Sequence, residues 1–171
     1  TNQVTLELWF QDQSPIPYSG ALLSNRGMDE GRFQPSLTLT PDGIAFFFND
    51  PAVDDRINPT AFEVSYAASP LQPQRWHHLA AVCKQAAPNQ VSLSTFVNGT
   101  KVMAAIRRGN LSSTINDGPF TIGVETEHPT LFFEGLVDEV SVYNRALTDQ
   151  EIKGVFAAGR AGKRLSSGPR E

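Results

Sequence analysis

Hydrophobic and polar residues alternate along most of this chain. In residues 4–10, VTLELWF, Val4, Leu6, Leu8 and Phe10 share one face of an extended strand, and Thr5, Glu7 and Trp9 share the other. The same two-residue period runs through SLTLT (36–40), GIAFFF (43–48), AFEVSY (61–66), WHHLAAVCK (76–84) and VSLSTFV (91–97). KVMAAI and FTIGVE continue it. Turn signals separate the runs: Pro41-Asp42-Gly43, Pro88-Asn89 and Asn116-Asp117-Gly118-Pro119. Asn98-Gly99, between two alternating runs, is the sharpest hairpin signal, because both residues tolerate positive φ. About ten short strands with frequent turns predict an all-β fold, an antiparallel sandwich or barrel.

One stretch has a different period. Thr148, Asp149, Gln150 and Glu151 form a capping box, with Thr148 accepting from the Glu151 amide and Glu151 reaching back. Ile152, Val155 and Phe156 follow at helical spacing, and Gly159 has the character of a C′ residue. The pattern predicts a short amphipathic helix near 148–158, laid by one stripe onto the sandwich. Residues 1–159 then make one domain, and 160–171 a tail or linker.

The 13 glycines and 12 prolines among 171 residues agree with many short, turn-joined elements. The net charge of −4 argues against a duplex nucleic acid partner, which needs a basic surface. No apolar run approaches a membrane span, so membrane insertion is not expected. Cys83 is the single cysteine, which excludes an internal disulfide and a cysteine metal cluster.

The order of segments is informative in itself: VTLELWF, RWHHLAAV, FVNGTKV, FTIGV and finally FEGLVDEVSVYNRALTDQEIKGVF. From Val4 to Gly159 it resembles the laminin-G-like jelly-roll domains of the concanavalin A-like lectin/glucanase superfamily. The last motif, a strand, an Asn-Arg-Ala-Leu turn and a helix, carries most of the likeness. The resemblance implies two curved antiparallel sheets face to face. It also implies an extracellular or cell-surface recognition domain that binds glycan or protein. Such domains usually carry an earlier strand with a Phe-Asp-Gly-like pattern, which is missing here. That strand normally pairs beside the last one, so either the tail or a partner chain fills the edge it would cover, or the open edge invites self-association.

Asp138 is the first candidate site residue. Plain alternation puts Leu136, Asp138, Val140 and Val142 on one face, and a carboxylate on an apolar face must be compensated. Backbone amides, Arg145 or a Ca2+ ion would serve. In related β-glucanases an aspartate in a similar last strand helps hold a structural Ca2+, so the resemblance implies a metal role for Asp138. NDPAVDDRIN adds Asp50, Asp54 and Asp55, an acidic loop suited to Ca2+ or another ligand and equally to a plain solvated turn. Arg107 and Arg108 would suit an acidic sugar, and Phe47, Tyr18, Tyr66 or Phe132 could stack on a sugar ring. Trp9 and Trp76 read as core. The loops at 26–35, 49–60 and 107–118 form the candidate surface.

Catalysis has little support. Superfamily glucanases use paired carboxylates in a Glu-x-Asp-x-x-Glu-like motif, and none is present. Glu125-Thr126-Glu127 sits in a loop, where geometry is poorly fixed. Gly-x-Ser-x-Gly and His-Glu-x-x-His are also absent. The expectation is a non-catalytic recognition module. Its alternatives are a structural or adhesion domain and a glycan-active enzyme or its accessory domain.

Overall fold

The structure is a computed structural model describing residues 2–14, 20–25, 34–41, 43–49, 61–67, 71–111, 119–125 and 132–160. Side chains at 34, 47–49, 61–67 and 160 are outside the description. The chain runs β1 (Gln3–Asp12), β2 (Gly20–Ser24), β3 (Gln34–Thr40), β4 (Gly43–Asn49), β5 (Ala61–Ala67), β6 (Trp76–Ala87), β7 (Gln90–Val97), β8 (Thr100–Arg108), β9 (Thr121–Ile122), β10 (Gly135–Tyr143) and α1 (Asp149–Arg160). Two five-stranded antiparallel sheets form, ordered β10-β1-β6-β7-β8 and β5-β4-β3-β2-β9. This is the expected two-sheet jelly-roll sandwich.

Alternation builds the core. Leu6, Leu8 and Phe10 of β1, Leu79, Ala81 and Cys83 of β6, and Val91 and Leu93 of β7 turn inward. They meet Leu22, Leu37, Ile44 and Phe46 of the second sheet, all almost fully buried. Burying a large apolar side chain contributes about 1.5–3 kcal/mol, so this interior is the main source of stability.

Asn98-Gly99 makes the β7–β8 hairpin as expected, with φ of 50° and 73°. Two consecutive positive values match the right-handed twist of the flanking strands. Asn98 is also docked sideways on β6. Its amide N–H donates to His78 O at 2.8 Å, and its side-chain Oδ1 accepts from His78 N at 3.0 Å.

Candidate functional site

Turning one set of β1 side chains into the core leaves Thr5, Glu7 and Trp9 on the opposite face of the first sheet. All three are nonetheless buried, because α1 lies across this face. The capping box fixes where α1 starts. Thr148 N donates to Glu151 Oε2 at 2.8 Å, and Glu151 N donates to Thr148 Oγ1 at 3.2 Å. Arg145 Nη1 pairs with Glu151 Oε1 at 2.8 Å. The Thr148 backbone N–H, followed by Arg145, holds the Glu151 carboxyl below its ordinary value. Ile152, with Leu147 just before the helix, packs on Ala80, Val82 and Phe96. Thr5 Oγ1 clips this segment to β1, donating to Arg145 O at 2.8 Å and accepting from Leu147 N at 3.0 Å.

The far end of α1 rests on Trp9. The indole stacks on Phe156 with ring centroids 5.6 Å apart and 18° between planes, and it tilts over His78 at 5.4 Å. Gly159 remains helical and has no positive φ, which corrects its reading as a C′ residue. Its real constraint is proximity. A Cβ there would meet Trp9 Nε1 at 2.5 Å. Gly99 is hemmed in similarly, since a Cβ would lie 3.0 Å from the Phe156 ring. Beneath these rings Tyr143 OH donates to Glu7 Oε2 at 2.9 Å. His78 Nε2 lies 3.4 Å from Glu7 Oε1, longer than a well-formed hydrogen bond.

Where the cover of α1 ends, a cleft of about 540 Å3 opens. Trp9 and Phe156 line its apolar side with Gly159, and Trp76 stands at its mouth, 43% exposed. Asn98, Asp138 and Glu139 supply the polar lining. The volume falls in the range of small-molecule sites, about 300–1,000 Å3.

A bulge brings the carboxylates here. Glu7 pairs with Ser141 but Trp9 pairs with Asp138, so β10 places two residues opposite Leu8. Glu139 takes the strain at φ 51°, and Asp138 Oδ1 accepts from its amide at 2.7 Å. The bulge splits the face that plain alternation assigned. Val137 and Val140 pack against the core, whereas Leu136 and Asp138 are exposed on the outer face. The expected apolar setting of Asp138 is therefore corrected. Its charge is solvated and faces the cleft, and Arg145 serves Glu151 instead.

Other expected site residues are dispersed. Asp50, Asp54 and Asp55 lie outside the described residues, as do most of the loops 26–35, 49–60 and 107–118. Phe47 lies on β4 and Tyr66 on β5, with side chains outside the description, and Tyr18 is outside it altogether. Phe132 is 59% exposed, away from the cleft lining. Arg107 and Arg108 end β8 on opposite faces of the strand, so they do not converge. Glu125 is buried and Glu127 is undescribed. Trp76, expected in the core, is exposed instead, and of the two tryptophans only Trp9 is buried. Strand parity puts Trp76 and His78 on one face, but nothing in the sequence marks where helix cover stops.

Ca2+ takes six to eight oxygen ligands. Among the described residues no three or more His, Cys, Asp or Glu side chains gather in a metal-holding group. Asp138 already turns one oxygen to the Glu139 amide. The other expected Ca2+ ligands, Asp54 and Asp55, lie outside the described residues.

A family model described as the concanavalin A-like lectin/glucanases superfamily, of laminin G type, matches residues 1–153. The chain belongs to this superfamily. Its fold agrees with solved structures. The carbohydrate-binding module CBM40 of the Ruminococcus gnavus IT-sialidase superposes with a TM-score of 0.66 at 18% identity, over 91% of this chain and 83% of that one. A SAP-like pentraxin from Limulus polyphemus gives 0.61 at 16%, over 91% and 70%. Mouse laminin α1 domains LG4-5 give 0.61 at 14%, over 87% and 37%. At such identities the likeness speaks for the fold. The laminin-G-like chain has no significant match among curated protein sequences. No helix among its described residues is long and apolar enough to cross a membrane.

Proposed function

We propose that this laminin-G-like domain is a non-catalytic recognition module that binds a glycan in the cleft at the end of α1. The observation that carries the reading is Trp76. A large aromatic ring stands exposed at the mouth of a cavity whose lining also includes the polar side chains of Asn98, Asp138 and Glu139. A pyranose has an apolar C–H face suited to such a ring and hydroxyls suited to Asp138, Glu139 and Asn98. Superfamily membership supports the reading, as does the fold shared with a carbohydrate-binding module, one structure of which is bound to α2,3-sialyllactose. The same kinship supports an extracellular or surface setting. A Ca2+ role for Asp138 is carried by the resemblance and one for Asp54 or Asp55 by their place in an acidic loop, and nothing in the binding reading depends on either.

A glycan array probed with the wild-type domain and with Trp76→Ala tests this. Binding to defined glycans that disappears in W76A, with the melting temperature nearly unchanged, is the expected result. No binding to any glycan, or binding indifferent to W76A, would overturn it.

A protein partner is the second reading, favoured by β10. This strand lies at the end of its sheet, and Leu136 and Val142 are 45% and 46% exposed along it. Such an edge can accept another strand, from a partner or a second copy. Light scattering would reveal a dimer that persists on dilution.

A further inference from the structure

A buried hydrogen-bond donor in the cleft wall narrows the ligand, on the glycan reading proposed above. We infer that the cleft reads an acetamido group, so that its ligand is an N-acetylated sugar. Trp9 is buried, and its indole Nε1–H meets no acceptor among the described residues. Buried polar groups without a partner are rare, and water, an ion or a functional role accounts for the exceptions. The same ring lines the cleft. Gly159 closes off its N–H edge: a Cβ there would lie 2.5, 2.6 and 2.7 Å from Nε1, Cζ2 and Cε2. This glycine is the last residue but one of α1 and also lines the cleft. Helix ends open locally at little cost, and a glycine has no side chain to withdraw. The N–H is therefore covered by a part of α1 that yields readily to an incoming acceptor.

An acceptor sits beside this donor. Asp138 is the register partner of Trp9 across β1 and β10, and residues directly opposite in such a pair carry Cβ atoms about 4.5–5.5 Å apart. Asp138 Oδ1 takes the Glu139 amide, which leaves Oδ2 to accept from a ligand. A donor and an acceptor on neighbouring residues match an acetamido group, whose C=O accepts from Trp9 and whose N–H donates to Asp138. Its methyl group comes to the apolar wall made by Trp9 and Phe156. A ring hydroxyl matches less well. It offers donor and acceptor on one atom held close to the pyranose, whereas the acetamido group carries them on two atoms of an arm that projects from the ring. Trp76 thus supplies the part of affinity common to all sugars, and Trp9 with Asp138 selects the N-acetyl group.

The test uses the whole chain and two probes that differ only in the acetamido group: the β1,4-linked tetramers of N-acetylglucosamine and of glucose. Calorimetry should show the acetylated tetramer binding roughly tenfold tighter or more, the equivalent of one or two hydrogen bonds. Asp138→Asn keeps an oxygen for the Glu139 amide but turns an NH2 group to the ligand, and should remove most of the preference. Trp9→Phe keeps a ring against Phe156 but drops the N–H, and should do the same. The wild-type domain gives a reading that depends on no variant. In nuclear magnetic resonance the Trp9 indole proton should move downfield, as on gaining a hydrogen bond, with the acetylated tetramer and not with the glucose tetramer. Equal binding of the two tetramers, a preference unchanged in D138N and W9F, or an indole proton that fails to move downfield while the acetylated tetramer binds would overturn the inference and leave glycan binding intact. Failure of both tetramers while other glycans bind on the array would do likewise. An empty array would overturn both readings.

Discussion

Replacing Gly159 by alanine adds one methyl group where the structure has no room for it. The new Cβ would lie 2.5 Å from Trp9 Nε1 and 2.6 Å from Cζ2. The indole cannot retreat easily, because it is stacked on Phe156 and lies over His78. Overpacking of this kind costs about 1–3 kcal/mol. Alanine is also the better helix former, by about 1 kcal/mol in a helix interior and less near an end. Gly154→Ala isolates that second effect. It lies in the same helix, and a Cβ there meets nothing within 4 Å. G154A should therefore gain up to about 1 kcal/mol, while G159A gains nothing or loses up to about 2 kcal/mol. For a chain of this length each kcal/mol moves the melting temperature by about 2–4 °C. The two variants should thus melt several degrees apart, G154A higher. Thermal unfolding followed by circular dichroism, with tryptophan fluorescence reporting on Trp9, makes the comparison. Equal melting temperatures, or G159A above G154A, would refute the claim that Trp9 and the end of α1 are in close contact.

Two further outcomes follow from the same geometry. Tyr143→Phe removes the donor to buried Glu7 and should cost about 1–3 kcal/mol, measurable by urea unfolding. Glu151 titrates below its ordinary value of 4.5 in the folded chain, so its contribution is full above that value and fades as pH falls through the depressed one. Glu151→Gln should remove this part of the acid dependence in melting curves taken across that range, and an unchanged acid limb would contradict the capping-box account.

Much of the fold was legible because its causes are local. Alternation in VTLELWF and WHHLAAVCK chose the buried faces of β1 and β6, Asn98-Gly99 chose the hairpin, and Thr148 with Glu151 chose the start of α1. The site was less legible because its causes are tertiary. The β10 bulge puts the positive φ on a glutamate, so no glycine marks it, and one additional residue reverses which side Asp138 faces. Gly159 has the composition of a helix end, whereas its role is set by an indole some 150 residues away in sequence. Trp76 obeys its strand's parity, but exposure depends on how far α1 reaches along the sheet.

The central claim is that the recognition surface is the cleft at the end of α1 rather than the acidic loop at 49–60. It is tested most directly by nuclear magnetic resonance, titrating the labelled domain with a glycan that it binds on the array. The indole N–H signals of Trp76 and Trp9 and the side-chain amide of Asn98 should shift together and saturate at one common concentration. Shifts confined to residues 49–60, with those three signals still, would contradict it.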